Sequence, residues 1–164
     1  SRPGHVPQNV DCTELLSQYD FSPTLLDYVG LEQKNTHNLP GRSFVNLLEG
    51  RDFGSDKPVY VLDEYGPTRM IRTHKWKYVH RYQFGDNELY DLENDPDEEI
   101  NLFGSDAHQE IKEKLLEQLE SWYDKYTDPG VDGRKNSVMG RGQIGMIKDS
   151  DKPFADDVVY FNQS

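Results

Sequence analysis

The stretch that decides the fold is residues 57–92, KPVYVLDEYGPTRMIRTHKWKYVHRYQFGDNELYDL. It contains four short runs of mostly β-branched and aromatic residues, separated by turns rich in glycine, proline and asparagine. These runs predict strands over residues 59–62, 68–73, 76–82 and 88–92. Parallel neighbours need long crossover connections, so the short turns predict an antiparallel meander. Alternation along the third run places one set of side chains on a common face: Trp76, Tyr78, His80 and Tyr82.

One strong helix pattern follows these strands. Between residues 106 and 126, apolar side chains recur at three- and four-residue spacings: Ile111, Leu115, Leu119, Trp122 and Tyr126. A Pro129-Gly130 pair ends the pattern. A single amphipathic helix after a meander has one sheet face to cover. The sequence therefore predicts an α+β fold, a four-stranded antiparallel sheet packed by one long C-terminal helix.

Two shorter helices are predicted upstream. In the first, over residues 22–29, Ser22 is the expected N-cap, Pro23 the first helical residue and Gly30 the residue just past the end. About two turns are too few to be stable alone, so its apolar face needs a packing surface: Leu25, Leu26 and Val29. The second is expected over residues 44–48, with Ser43 as its cap.

The composition limits the partners. Thirty acidic residues against 18 basic ones give a net charge of −12, which disfavours binding to nucleic acid or to anionic membranes. Cys12 is the one cysteine, so no internal disulfide can mark an oxidising compartment. The first ten residues contain no initiator Met and no signal-type apolar segment. We expect a longer chain upstream and a bacterial cytoplasmic location, with no nucleic acid and no membrane as partner.

The predicted sheet has an uneven charge distribution. Residues 69–81 carry five Lys and Arg and no acid, whereas residues 86–99 carry eight acids and no base. We favour cross-strand pairing between these two segments. A positive patch for an anionic substrate is the alternative, and one set of side chains could serve both purposes.

Motifs for catalysis are weak. Residues 140–145, GRGQIG, match a dinucleotide-binding pattern but lie in a Gly- and Lys-rich tail without the required strand and helix. His74 and His80 would be roughly 20 Å apart along a strand, too far to share a metal ion. Cys12 has no basic neighbour in sequence to lower its pKa. From the residues alone we predict no catalytic residue and no metal site in this chain.

Two blocks carry a family resemblance. Residues 19–30, YDFSPTLLDYVG, resemble the D-x-x-P-T-[LI]-L-[DE]-x-x-G segment of type I, formylglycine-dependent sulfatases, members of the alkaline phosphatase-like superfamily. Residues 70–78, MIRTHKWKY, followed by ELYDLENDPDE at 88–98 and Asn101-Leu102, resemble their C-terminal signature. The resemblance covers about residues 3–130. It implies that residues 1–52 end an α/β catalytic domain, that residues 53–130 form its C-terminal subdomain, and that residues 131–164 are a tail.

The resemblance also implies what this chain lacks. Family members use a formylglycine made from the Cys or Ser of a C-x-P-S-R motif, together with a calcium ion. Cys12 is followed by Thr-Glu-Leu, and Asp86-Asn87 is followed by Glu88 where the metal-binding pair has Gly, so neither motif matches. We therefore expect no cofactor in this chain, calcium and formylglycine in the intact parent, and no activity from these residues alone.

Substrate contacts are the remaining role. In relatives the C-terminal subdomain lines the mouth of the pocket, which implicates Glu64, Tyr65, Arg69 and His74. A surface ion pair between Glu64 and Arg69 is the favoured alternative, and Arg141 and Gln143 in the tail are weaker candidates.

Our leading hypothesis is the C-terminal subdomain of a sulfuric ester hydrolase, whose parent cleaves sulfate esters or related phosphate or phosphonate esters. A free-standing, non-catalytic binding module is the alternative. In either case the exposed apolar face of the first short helix predicts self-association.

Overall fold

The computed structural model describes residues 4–31, 39–51, 53–54, 56–62, 68–82, 85–129 and 132. The chain divides into two compact units, Ser1–Val59 and Tyr60–Ser164. No helix in the described ranges is long and apolar enough to cross a membrane.

The sheet is the meander that the turns predict. Its strands are β1 (Val59–Leu62), β2 (Thr68–Arg72), β3 (Trp76–Arg81) and β4 (Glu88–Asp91), and they lie in the order β1-β2-β3-β4. The β2–β3 and β3–β4 pairs are antiparallel. The predicted fold class is confirmed, and three of the four strands end one residue earlier than predicted.

The long helix covers one face of this sheet. A single 3₁₀ turn, Asp106–His108, leads into α3, Gln109–Tyr126. The core lies between helix and sheet and is built by six side chains: Ile71, Tyr78, Leu89, Leu115, Leu119 and Tyr123. The helix prediction is confirmed, and the observed apolar face also includes Tyr123, which the prediction left out. Tyr123, four residues beyond Leu119, enters the core, whereas Trp122 lies at its margin and stacks on Tyr60 with ring centroids 4.5 Å apart.

The sheet and α3 define two ends of this subdomain. At one end the Trp76 ring lies 5.7 Å from the ring of His108, at the beginning of the helix. At the other end the hydroxyl of Tyr82 donates a hydrogen bond to Glu120, in the second half of the helix. We call this second end the hairpin end, because β1 and β3 end there and β2 and β4 begin there.

The basic and acidic segments pair with each other. Three ion pairs link them: Lys75 with Glu93 at 2.7 Å, Lys77 with Glu98, and Arg81 with Glu88 at 2.6 Å. Cross-strand charge complementarity, the favoured interpretation of this pattern, is thus confirmed. These pairs are partly or largely exposed, so each adds little to stability.

The residues after β4 complete the edge of the sheet. The Leu102 amide donates to the Leu89 carbonyl at 2.8 Å. The Asn101 side chain accepts from the Leu89 amide at 3.1 Å and from the Phe103 amide at 3.0 Å, and it donates to the Asn87 carbonyl at 3.1 Å. Asn101 and Leu102, the last two residues of the quoted signature, therefore act as a short substitute strand.

The other unit is built around α1, Phe21–Tyr28. The prediction that Ser22 caps this helix was wrong. A 3₁₀ turn, Gln18–Asp20, runs directly into α1, so the cap moves upstream to Ser17, which forms a capping box with Asp20. Gly30 has a φ of +72°, as its predicted position just past the helix requires.

Two side chains of the first family block bind the segment that follows. The Asp20 carboxylate accepts from the Arg42 amide at 2.9 Å, and the Thr24 hydroxyl accepts from the Phe44 amide at 3.0 Å. The segment that these bonds hold continues into α2, Val45–Leu48, which begins one residue later than predicted. The backbone of Phe44, not that of Ser43, occupies the N-cap position, although the Ser43 hydroxyl accepts from the Val45 amide at 3.3 Å.

The outer stripe of α1 is apolar and exposed. Phe21, Leu25 and Val29, at four-residue intervals, keep 66%, 50% and 55% of their surface accessible. Among the described residues the helix buries Pro23 and Thr24 instead. The apolar face that needed a packing surface is therefore uncovered in this structure.

Candidate functional site

The structure places the predicted pocket residues at two ends of β2. Arg69 is the second residue of β2, at the hairpin end, and His74 lies in the exposed turn between β2 and β3. Five residues along an extended chain separate them by about 16 Å, so the two do not come together. Glu64 and Tyr65 belong to the β1–β2 connection and lie outside the described residues, as do Arg141, Gln143 and the 140–145 motif.

Arg69 is buried rather than presented to solvent. It shares the inward parity of Ile71 on β2, and its residue surface is 2% exposed. The guanidinium lies 4.0 Å from the ring centroid of Tyr123 and 5.3 Å from that of Tyr82. Both distances fall within the range of cation–π attraction, so the two rings hold the guanidinium in place.

An ion pair neutralises this buried cation. Arg69 Nη2 lies 2.6 Å from Oδ1 of Asp132, whose side chain is 12% exposed. Within the described part of the chain, Arg69 Nη1 has no hydrogen-bond acceptor. The partner expected from sequence, Glu64, lies outside that part, and Asp132 was not anticipated because it falls in a segment assigned to the tail.

Three further polar groups share the hairpin end with Arg69. His80 lies directly opposite Arg69 in the β2–β3 register, and its Nδ1 is 2.8 Å from the Tyr78 hydroxyl. Burial lowers the pKa of His80; Glu120 opposes this shift and the Arg69 cation adds to it. Burial, with a smaller contribution from Glu120, raises the pKa of Tyr78 to about 12.

Tyr82 follows the same trend. Its pKa is raised by burial and by its hydrogen bond to Glu120. His80, Tyr78 and Tyr82 are therefore all neutral near pH 7. A buried, neutral and hydrogen-bonded set of this kind holds a structure together and offers no activated nucleophile.

The described residues also fail the requirements of the family's cofactors. They include no group of three or more His, Cys, Asp or Glu side chains that could hold a metal ion. Cys12 is exposed and lies outside any formylglycine motif.

Sequence reasoning did not find three of the residues that surround Arg69 and Tyr82 at the hairpin end: Glu120, Tyr123 and Asp132. Arg69 lies two residues before Ile71 on β2, so the alternation of the strand could have predicted that both side chains are buried. An arginine on the inner face of a sheet needs an acid and aromatic neighbours, and the end of the covering helix is the natural place to find them.

Comparison with known proteins matches this architecture to one family. The sequence profile described as "N-sulphoglucosamine sulphohydrolase, C-terminal" matches residues 1–125. An N-acetylglucosamine-6-O-sulfatase of Bacteroides thetaiotaomicron is 31% identical over 140 residues, which cover 79% of this chain and 25% of that protein. An ulvan-active sulfatase of Formosa agariphila is 28% identical over 145 residues, 66% of this chain and 29% of that protein.

Solved structures agree. A protein in complex with its substrate D-glucosamine-2-N,6-O-disulfate superposes with a TM-score of 0.58 at 29% identity, over 71% of this chain and 25% of that one. The phosphonate monoester hydrolase of Agrobacterium radiobacter gives a TM-score of 0.53 at 26% identity, over 68% and 25%. The chain thus spans about a quarter of the length of these relatives, and the resemblance stated from the two sequence blocks is confirmed. The chain belongs to the sulfatase family, as a C-terminal domain of the N-sulphoglucosamine sulphohydrolase type.

Proposed function

We propose that this C-terminal domain works within a sulfuric ester hydrolase acting on a sulfated carbohydrate. Its role there is to stabilise the enzyme and to form part of the wall of the substrate pocket. The match of residues 1–125 to a sulfatase C-terminal profile carries this proposal. The carbohydrate as substrate is inferred from the names of two relatives, an ulvan-active sulfatase and an N-acetylglucosamine-6-O-sulfatase.

The proposed division of labour follows from the residues present. The 164 residues contain no C-x-P-S-R motif, so the formylglycine and the calcium ion are proposed to belong to the catalytic part of the parent. Bound there, they would supply the nucleophile and the charge stabilisation for ester cleavage. We keep residues 1–52 as the end of that catalytic domain, 53–130 as the subdomain and 131–164 as a tail.

Within the subdomain, the hairpin end is the proposed pocket wall. Glu64 and Tyr65, which lie between β1 and β2 in the sequence, are the proposed contacts to substrate. Arg69 is too buried to touch a ligand directly in this arrangement, so its role would be to support that connection. His74, about 16 Å along the strand, would meet a different part of an extended saccharide.

A loop graft tests this assignment. Residues 63–67 would replace the corresponding connection of the Bacteroides thetaiotaomicron N-acetylglucosamine-6-O-sulfatase. A control graft would replace residues 93–96, in the turn after β4, which hold no proposed substrate contact. We expect the first graft to change KM about tenfold, equivalent to about 1.4 kcal/mol, with a smaller effect on kcat and little effect of the control graft. Unchanged kinetics in a folded first graft would remove the hairpin from the pocket.

A phosphonate or phosphate monoester is the second candidate substrate. It is favoured by the similarity to the phosphonate monoester hydrolase, which is of the same order as the similarity to sulfatases. Comparing kcat/KM for an aryl sulfate and a phenyl phosphonate, in a protein that joins this domain to its catalytic domain, separates the two. The sulfate should be the better substrate.

A further inference from the structure

The ion pair between Arg69 and Asp132 uses only part of the arginine's hydrogen-bonding capacity. Arg69 Nη2 lies 2.6 Å from Oδ1 of Asp132, whereas Arg69 Nη1 is buried and has no hydrogen-bond acceptor among the described residues. A guanidinium presents two parallel N–H groups, and a carboxylate, sulfate or phosphate group can accept both of them at once. One of the two donors on this edge of Arg69 is therefore unused.

The surroundings of the guanidinium do not supply the missing acceptor. Its carbon, Cζ, lies 4.0 Å from the ring centroid of Tyr123 and 5.3 Å from that of Tyr82. These rings attract the cation through their faces but do not replace an oxygen acceptor for its N–H groups. Because a buried donor without an acceptor lowers stability, the site favours an occupant that brings one.

Asp132 holds the position that an external anion would need. It lies six residues beyond the end of α3 and belongs to no helix or strand. Its side chain is 12% exposed and that of Arg69 is 2% exposed, so the acid is the member of the pair that solvent reaches more readily. A carboxylate and a sulfate group present similar negative oxygens to an arginine, so Asp132 is the intramolecular equivalent of a bound oxyanion.

We propose that Arg69 forms an oxyanion site that Asp132 closes in this structure, and that a sulfate group of the substrate replaces the Asp132 carboxylate there. A sulfate group would accept from both Nη1 and Nη2, and so would satisfy the donor that is unused in the ion pair. The sulfate ester as ligand rests on the proposed function; the oxyanion site does not. With Asp132 in place Arg69 is closed to ligands, so the ion pair is an autoinhibitory contact.

Removing the internal carboxylate tests the site in the full 164-residue chain. Asp132→Ala would be titrated with inorganic sulfate, at an ionic strength held constant with chloride. The amide signals of Thr68, Met70 and Tyr82 would be followed by NMR. We expect saturable shifts at these amides and an affinity about tenfold or more above that of the unsubstituted chain, because the competing carboxylate is no longer held beside Arg69.

Two variants separate this site from general effects of sulfate. Glu93→Ala removes an acid from the exposed Lys75–Glu93 pair, 2.7 Å apart, and should gain no sulfate affinity. Arg69→Met/Asp132→Ala removes the site itself and should show no saturable shifts. Affinity retained in that double variant, gained equally in Glu93→Ala, or absent from Asp132→Ala would overturn the oxyanion site.

Thermal unfolding gives a second measurement, because Asp132→Ala leaves a buried cation uncompensated and is expected to be less stable. Sulfate should raise the unfolding midpoint of Asp132→Ala more than that of Arg69→Met/Asp132→Ala, which lacks the cation. The same comparison would be made with Asp132→Asn, which keeps the size of the side chain and one acceptor. Equal shifts with and without Arg69 would contradict the proposal.

A further titration tests the class of ligand. Asp132→Ala would be titrated with D-glucosamine-2-N,6-O-disulfate, and unsulfated glucosamine would be the control. We expect the disulfate alone to bind, and to bind about tenfold more weakly to Arg69→Lys/Asp132→Ala, which keeps the charge but loses the planar fork. Binding of inorganic sulfate without binding of the disulfate would overturn the substrate assignment and leave the loop-graft test of the proposed function untouched.

Discussion

Replacing Asn101 by alanine should destabilise the sheet subdomain although Asn101 itself is exposed. The side chain makes three hydrogen bonds, to the amides of Leu89 and Phe103 and to the carbonyl of Asn87. Leu89 has no exposed surface, so its amide has no ready access to water once the asparagine is removed. The substitution therefore removes a partner from a buried donor as well as two more exposed bonds.

The expected loss can be worked out bond by bond. An ordinary intramolecular hydrogen bond contributes about 1 kcal/mol net, and an unsatisfied buried donor costs about 1–3 kcal/mol. The backbone bond from the Leu102 amide to the Leu89 carbonyl, 2.8 Å long, remains in the variant and limits the damage. We therefore expect Asn101→Ala to lower the free energy of unfolding by about 3 kcal/mol. Asn101→Asp keeps both acceptor contacts and loses the donor, so about 1 kcal/mol is expected.

Urea unfolding followed by tryptophan fluorescence measures this directly, since Trp76 and Trp122 both border the core of the subdomain. Asn94→Ala is the matched control, because the Asn94 side chain makes one exposed hydrogen bond, to Asp91 at 2.9 Å. The control should lose at most about 0.5–1 kcal/mol. An Asn101→Ala loss no larger than that of Asn94→Ala would refute the view that Asn101 substitutes for a strand.

Three further outcomes are expected. Burial lowers the pKa of His80 in the folded state, so the unfolded chain protonates first; stability should therefore fall as the pH drops below about 6.5. When urea midpoints are measured against pH, His80→Gln should make the dependence shallower. An unchanged dependence would show that other groups cause it. A Cβ at Gly41 would lie 1.9 Å from the Tyr19 carbonyl oxygen, so Gly41→Ala should destabilise its unit by about 3 kcal/mol; a loss below about 0.5 kcal/mol in thermal unfolding would count against this close approach. The exposed stripe of α1 should drive self-association, so light scattering should show oligomers that Phe21→Gln/Leu25→Gln disperses; a monomeric parent chain at high concentration would contradict this.

The sheet and the long helix could be predicted because their signals are local. Turn residues at Gly66-Pro67 and Gly85 separate runs with the period of a strand, and the spacing between residues 111 and 126 has the period of a helix. Trp122 shows the limit of that reasoning. Spacings of three and four residues both fit an apolar stripe, and the observed packing buries Tyr123 in the core and leaves Trp122 at its margin.

The hairpin end could not be predicted in the same way. Its central contact joins Arg69 to Asp132, 63 residues apart in sequence. No local pattern encodes such a pair, and the abundance of acids in the chain left many possible partners for one arginine. Ser22 was misassigned for a related reason, because a 3₁₀ turn with its own capping box preceded the helix and moved the cap to Ser17.

The motif blocks also take on a physical meaning. Asp20 and Thr24 accept backbone amides from the segment that follows α1, and Asn101 closes the edge of β4. All three side chains accept hydrogen bonds from backbone amides, and this stabilises the fold. A sulfatase signature composed of such residues identifies the family while carrying no catalytic group.

The most direct test of the account is a turnover measurement on the purified 164-residue chain. Hydrolysis of an aryl sulfate would be followed with calcium present, and again after addition of a chelator. We predict no hydrolysis above the buffer rate in either case, because the sequence holds no formylglycine motif and the described residues include no group that could hold a metal ion. Calcium-dependent turnover by this chain would contradict the claim that its catalytic groups belong to another part of the enzyme.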